Sequence, residues 1–229
     1  MKRCAAITIF ALAVTVCAAA VPAFAQPPSP GGQPRQLSVE ITAGPTLGHK
    51  SSSFVAGEVG WRIRPKLEIF VEGGHMSNVA NSALENNANV VAPEIGFNGG
   101  GTGSVTSTGI KVNHIDAGVK YWVDPIDPRF RPYFLFGVGA AFATTEVGFA
   151  LNGNAVDPGT YGVQLGGDLS GTNTKTMIAF GGGIAIPFAA RYYIDLGYRF
   201  GGILSKTSDI ENDTAIKSQR IVLGVGARF

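Results

Sequence analysis

A histidine and a serine stand two residues apart in this chain, at His75 and Ser77, and Asn78 follows. In a strand, residues two apart point to the same face, so the imidazole could act as a general base beside a hydroxyl nucleophile. This spacing allows nucleophilic catalysis, although any strand that ends in polar residues places two side chains in the same way. We therefore keep a hydrolase as an alternative to a non-enzymatic role.

Two other segments have the composition of a binding loop but lack its essential residues. The glycine-rich run at 99–104 lacks the Gly-Lys-Ser/Thr ending of a phosphate-binding loop. Asp209, Glu211 and Asp213 lack the glycine and the later glutamate of a calcium loop. We predict that the protein uses no cofactor and holds no metal.

In the cores of the alternating segments the charged residues fall on one parity, among glycine, alanine and threonine. Six acids against five bases and one histidine suit side chains paired in a narrow lumen, because an unpaired buried charge is costly. The predicted lumen charge network consists of Glu40, Glu58, Arg62, Glu68, Glu72, His114, Asp116, Lys120, Asp195, Arg199, Arg220 and Arg228.

Apolar and polar residues alternate in eight segments, which indicates eight strands. The segments are 37–47, 55–63, 67–72, 114–123, 133–142, 178–186, 191–200 and 215–229. Short links that contain or flank proline follow the second, fourth and sixth segments, whereas 77–109, 148–174 and 204–214 are predicted to be loops. Short turns at one end and long loops at the other are typical of an up-and-down barrel. We predict an all-β, eight-stranded antiparallel transmembrane β-barrel over residues 37–229.

Alternation alone does not say which face of the barrel is inside. A soluble lipocalin-like barrel would present a polar face crowded with charge to water. Here that face is mostly small residues, and the opposite face carries no charge in any strand core, as a lipid-facing surface requires. An aromatic girdle is predicted at the short-turn end, formed by Trp61, Tyr121, Phe188 and Tyr192.

The first 25 residues read as a secretory signal peptide. Lys2 and Arg3 precede an apolar run, and Ala23-Phe24-Ala25 predicts cleavage before Gln26. Residues 26–36 form a proline-rich leader that we expect to be flexible. Both cysteines lie in the signal peptide, and its removal leaves 16 of 18 basic residues against 16 acids. A neutral mature chain argues against binding to nucleic acid.

The last nine residues place Ile221, Leu223 and Val225 on an apolar face that ends at Phe229. This resembles the C-terminal strand of bacterial outer-membrane barrels, and the mature chain resembles the OmpA-like eight-stranded outer-membrane β-barrel family. The resemblance implies location in the cell outer membrane, with both chain ends in the periplasm and the long loops outside. It also implies contact with outer-membrane lipids including lipopolysaccharide, Phe229 as a signal to the barrel assembly machinery, and a monomer.

These observations predict a structural or surface-interaction barrel whose lumen is filled by side chains. A narrow pore for small solutes is the alternative from the transport class. The enzyme alternative rests on His75 and Ser77, which resemble the His-x-Ser-Asn motif of the outer-membrane lipid A deacylase. In that family a lipid-facing histidine and serine act with a glutamate, but Asn89 stands at the glutamate position here and Glu85 lies nearby.

Overall fold

The computed structural model describes residues 36–125, 127, 129–167, 169–204 and 216–229. The predicted signal peptide, the leader up to residue 35 and nearly all of the predicted loop 204–214 lie outside these ranges. Within them the strands are β1 Leu37–Leu47, β2 Ser52–Arg64, β3 Leu67–Met76, β4 Gly103–Trp122, β5 Arg131–Leu151, β6 Asn154–Val156, β7 Gly171–Pro187, β8 Tyr192–Ile203 and β9 Ile216–Arg228. Helix α1 spans Ser82–Gly99, and a 3₁₀ helix spans Pro158–Tyr161.

Eight of the strands form a closed antiparallel ring, with the three-residue β6 added to the end of β5. Within the ring each strand pairs with the next one along the chain, β5 pairs with β7 past the short β6, and β1 pairs with β9. The closing pair places Ile41 opposite Val225 and Val39 opposite Ala227. The ring has no free edge, so every barrel strand finds a backbone partner on both sides. The predicted all-β, eight-stranded up-and-down barrel is confirmed.

The outward-facing side chains of the ring are mostly apolar. The residues predicted to face lipid on β9, Ile221, Leu223 and Val225, are about half exposed, and their neighbours Val222 and Arg220 are buried inside. The same period of two holds in β2, where Val59 and Trp61 point out and Glu58 points in. This arrangement is the inverse of a soluble barrel, because the apolar face is the one left without a protein partner.

The two ends of the barrel differ in their connections. At the turn end, residues 65–66, 123–130 and 188–191 link the strands. At the helix end, residues 48–51 form one short link, α1 lies between β3 and β4, and β6 with the 3₁₀ helix lies between β5 and β7. The predicted asymmetry of short and long connections is therefore present in the described residues.

The prediction that residues 77–109 are a loop was wrong for most of that range. The Asn81 side chain accepts a hydrogen bond from the Leu84 N–H and begins α1. The helix ends at Gly100, whose left-handed backbone (φ 65°) suits a residue without a side chain. Buried Leu84, Ala88 and Ile95 recur at helical spacing, but the small and asparagine-rich residues between them weaken that pattern in the sequence.

The predicted loop 148–174 is also shorter than expected. β5 continues to Leu151, β6 folds back on it, and β7 begins at Gly171. β4 and β5 are 20 and 21 residues long, about twice the length that a tilted strand needs to cross a membrane. Beyond the ends of the shorter strands, β4 and β5 continue as a two-stranded antiparallel ribbon. Helix α1 packs against this ribbon. Neither described helix has the length and apolar character of a membrane-crossing helix.

Candidate functional site

The centre of the lumen contains a connected set of ion pairs that we call the central network. Glu58 of β2 pairs with Lys120 of β4 and lies 3.2 Å from Arg199 Nη2 of β8. Arg199 also pairs with Glu72 of β3, and Lys120 Nζ lies 3.9 Å from Glu40 Oε2. All five side chains are almost completely buried. β1, β2, β3, β4 and β8 each contribute one of these charges, because one residue in two of a strand points inward.

The central network continues toward the helix end through a group around Glu72 that contains Arg220, His114 and Asp116. Glu72 Oε1 lies 3.0 Å from Arg220 Nη1 and 3.2 Å from His114 Nε2, and His114 Nε2 lies 3.6 Å from Asp116 Oδ1. The ligand atoms of Glu72, His114 and Asp116 lie within 4.8 Å of one another, which is close enough for a metal. Arg220 already supplies the positive charge there, since its Nη1 is also 3.4 Å from His114 Nε2. We therefore describe the group as part of the ion-pair network.

A separate cluster lies nearer the turn end. Glu68 receives hydrogen bonds from Arg62 Nη2 at 3.2 Å, Trp122 Nε1 at 3.1 Å and Ser38 Oγ at 3.0 Å. Arg228 lies over the Trp122 ring, with its Cζ 4.7 Å from the ring centroid. The carboxylate is satisfied by three donors, as a buried charge requires.

Two tyrosines that were not predicted as partners of the acids complete the lumen. Tyr133 donates to Asp195 Oδ2 at 2.6 Å, and Tyr193 donates to Glu40 Oε2 at 2.9 Å. Both tyrosines share the inward parity of the charged residues, and that parity is the signal that could have identified them. All twelve residues of the predicted charge network therefore face the lumen. Eight of them form the central network: Glu40, Glu58, Glu72, His114, Asp116, Lys120, Arg199 and Arg220.

The lumen at the helix end is apolar, in contrast to the centre. Met76, Val112, Met177 and Ile203 point inward and are completely buried. Ile95 of α1 belongs to the same buried cluster, together with α1 residues Leu84, Ala88 and Ala92. The helix therefore lies across this end and covers the apolar part of the lumen. We call this cluster, with α1, the apolar cap.

A polar contact fixes the start of α1 to the β1–β2 link. His49 Nε2 lies 2.9 Å from Glu85 Oε2, and Lys50 donates to the hydroxyl of Thr108 on β4. The hydrogen bond from His49, followed by the charge of Lys50, lowers the pKa of Glu85 from its usual value. Both members of the His49–Glu85 pair are partly exposed, so the contact positions the helix more than it stabilises the barrel.

The two residues of the enzyme alternative do not bond to each other. His75 Nδ1 lies 2.8 Å from Asn113 Oδ1, and the Ser77 hydroxyl lies 3.3 Å from that of Ser53. Glu85 of α1, the candidate for the third catalytic group, pairs instead with His49 of the β1–β2 link. Asn89 is exposed on the same helix. The geometry thus gives His75 and Ser77 separate polar partners in place of a base–nucleophile pair.

The four residues of the predicted aromatic girdle lie together at the turn end. Trp61, Tyr121, Phe188 and Tyr192 are each about half exposed on the outside of the ring. The rings of Phe188 and Tyr192 stack with centroids 6.2 Å apart. Phe229 is hydrogen-bonded through its backbone to Leu37, at the seam of β9 and β1. Its role as an assembly signal stays a prediction.

A closed ring with an apolar outer face, inward charges and aromatic residues at one rim defines a transmembrane β-barrel. The model of the outer membrane protein beta-barrel domain family matches residues 9–229 of this chain. The protein belongs to that family, and its membership points to the outer membrane.

Solved structures of outer-membrane barrels have the same fold. Neisserial surface protein A is 16% identical, with a TM-score of 0.51 over 84% of this chain and 96% of that chain. A major outer membrane protein from Thermus thermophilus is 9% identical, with a TM-score of 0.50 over 84% of this chain and 99% of that chain.

The outer membrane enzyme PagL also matches, at 9% identity and a TM-score of 0.41 over 82% of this chain and 97% of that chain. Similarity at that level carries no argument for catalysis. Comparison with curated protein sequences found no match.

Proposed function

We propose that this protein is a surface-exposed outer-membrane barrel that displays α1 and the β4–β5 hairpin and conducts no solute through its lumen. The observation that supports a non-conducting role is the filling of the lumen by the central network and the apolar cap. Side chains from most strands meet at the axis, and an eight-stranded ring leaves just enough room for them. The pore alternative would require a water-filled path through the same buried ion pairs.

The helix end supplies the surface for interaction. Val90 and Phe97 of α1 are 77% and 88% exposed on the face of the helix that points away from the barrel. Apolar side chains held in water by a rigid helix are typical of a contact surface. In this proposal the helix end faces the outside of the cell and the turn end faces the periplasm. Outer-membrane lipids, including lipopolysaccharide, surround the apolar outer wall of a monomer.

Labelling of intact cells with a membrane-impermeant maleimide tests this orientation. The predicted mature chain has no cysteine, so Phe97→Cys on α1 and Arg64→Cys at the turn end each introduce a single thiol. We expect Phe97→Cys to be labelled on intact cells, and Arg64→Cys to be labelled only after the outer membrane is opened. The reverse pattern would show that the helix end faces the periplasm. The intact mass of the purified protein tests cleavage before Gln26.

The enzyme alternative has its own test, because its product would be chemically distinct. Lipid A from cells with and without the protein is compared by mass spectrometry, with Ser77→Ala as the matched variant. We expect identical lipid A in all three strains, since His75 and Ser77 bond to other side chains. Loss of an acyl chain that disappears in Ser77→Ala would replace the structural role with hydrolysis.

A further inference from the structure

The turn end contains a cavity of about 340 Å³ that is lined by four arginines, Arg62, Arg131, Arg191 and Arg228. They come from β2, from the start of β5, from the link before β8 and from the end of β9. Tyr193 forms part of the wall. Four guanidinium groups around one cavity repel one another. This repulsion destabilises the folded protein unless a bound anion offsets it.

Arg228 is the most buried of the four and has donors to spare. It is 8% exposed, and its Nε and Nη2 make no hydrogen bond although both atoms are buried. Its guanidinium lies between two aromatic rings, with Cζ 4.4 Å from the Tyr193 centroid and 4.7 Å from the Trp122 centroid. Stacking fixes the plane of the group but satisfies none of its N–H donors. A buried donor without an acceptor is destabilising, and an oxyanion would supply the acceptor.

The cavity sets four guanidinium groups against the carboxylate of Glu68 in the described ion pairs. Arg62 is the member with an ion-pair partner there, Glu68 at 3.2 Å. That carboxylate is already used by Trp122 and Ser38 as well. Arg131 and Arg191 stand at the rim with no described carboxylate at ion-pair distance. The cavity is therefore cationic from its rim to its floor.

The backbone holds these groups in place before any ligand arrives. The Arg228 N–H donates to the carbonyl of Arg191 at 2.8 Å, which ties two of the arginines to neighbouring chain segments. Guanidinium groups match the oxygen atoms of a tetrahedral oxyanion, and arginine commonly binds phosphate in a bidentate way. We propose that this arginine pocket at the turn end binds a phosphate group, as the free anion or as the headgroup phosphate of a lipid.

The first experiment uses inorganic phosphate and the full barrel in a nonionic detergent, with binding followed by isothermal titration calorimetry. We expect one saturable site on the wild-type protein. The variant Arg131→Gln/Arg191→Gln removes one exposed and one half-buried rim charge, leaves the fully buried charges in place, and should weaken binding at least tenfold. Arg64→Gln/Arg129→Gln is the matched control. It removes the same charge at the same end from residues that do not line the cavity.

The second experiment distinguishes the lipid source. The barrel is placed in phosphatidylcholine nanodiscs that contain some phosphatidylglycerol, and native mass spectrometry counts the anionic lipids it retains after release. Retained phosphatidylglycerol that is lost in Arg131→Gln/Arg191→Gln and kept in the control would assign the pocket to a lipid phosphate. Saturable inorganic phosphate without lipid retention would assign it to the free anion. No binding in either experiment, or equal loss in the control variant, would overturn the proposal.

Discussion

At the centre of the barrel, Glu58, Glu72 and Arg199 meet in ion pairs, whereas toward the helix end the same lumen is packed with Met76, Val112 and other apolar side chains. Both regions consist of buried side chains, but different interactions hold them together. The ion pairs need every partner in position, because one missing charge leaves another buried without compensation. The apolar cap depends on contact area and closes through a helix that touches chiefly β4 and β5. We therefore expect damage to the centre to affect the whole barrel and damage to the cap to stay local.

The largest effect is expected from Glu72→Ala. The substitution leaves Arg199 and Arg220 facing each other without the carboxylate between them, which should lower the free energy of unfolding by about 3–5 kcal/mol. Urea unfolding of the barrel in lipid vesicles measures this loss. Glu146→Ala removes an acid from the exposed pair with Lys111 and should cost about 1 kcal/mol or less. Equal losses for the two variants would contradict the role of burial in the central network.

The next effect belongs to the apolar cap. Ile95→Ala removes a completely buried side chain from α1 and should cost about 2–5 kcal/mol in the local stability of the helix. Hydrogen exchange of residues 82–99 in bilayers should become faster, while the urea midpoint of the barrel changes much less. Asn86→Ala on the exposed face of α1 is the control. A drop in barrel stability as large as the change in α1 would show that the two regions unfold as one unit.

A smaller effect is expected at the beginning of α1. Asn81→Ala removes the acceptor for the Leu84 N–H, which should destabilise the helix by about 1 kcal/mol. Hydrogen exchange of the first turn of α1 reports the change. Asn89→Ala lies on the exposed side of the same helix and should have the opposite sign, because alanine is the better helix former. Identical responses would mean that the Asn81 side chain does not stabilise the start of the helix.

The smallest effect is a pH dependence confined to the start of α1. The pKa of Glu85 is lowered mainly by the hydrogen bond from His49, so the contact is fully present above the ordinary carboxyl value of 4.5. It is lost as the pH falls through the lowered pKa. Protection of the first turns of α1, taken relative to the intrinsic exchange rate at each pH, should therefore fall below about pH 4.5, and Glu85→Gln should remove this dependence. An unchanged pH profile in Glu85→Gln would assign it to another group.

The sequence predicted the barrel and its inward charges because a strand repeats every two residues. Once Ile221, Leu223 and Val225 are assigned to the outer face, Arg220 must point inward. The partner of each charge could not be predicted in this way. Arg220 and Glu72 are 148 residues apart, and they meet only because β9 closes on β1. Helix α1 was missed for a different reason, since three of its five buried residues are alanine or glycine and several of the residues between them are asparagine.

The arginine pocket shows the same limit at the turn end. Arg62 and Arg228 were predicted to face the lumen, and the structure places both there. Arg131 precedes its alternating segment and Arg191 is the first residue of another, so their approach to the same cavity depends on the course of the links. Periodicity therefore identifies which residues face inward along a strand, and only the closed ring shows which residues from different links share a cavity.

The central claim, that side chains fill the lumen, is tested most directly by single-channel recording of the purified barrel in planar bilayers. We predict no stepwise current above the bare membrane, because the central network and the apolar cap block the axis in succession. Heat-modifiable migration on gels confirms beforehand that the sample is folded. Reproducible conductance steps from the folded wild-type protein would contradict the account and establish the narrow pore.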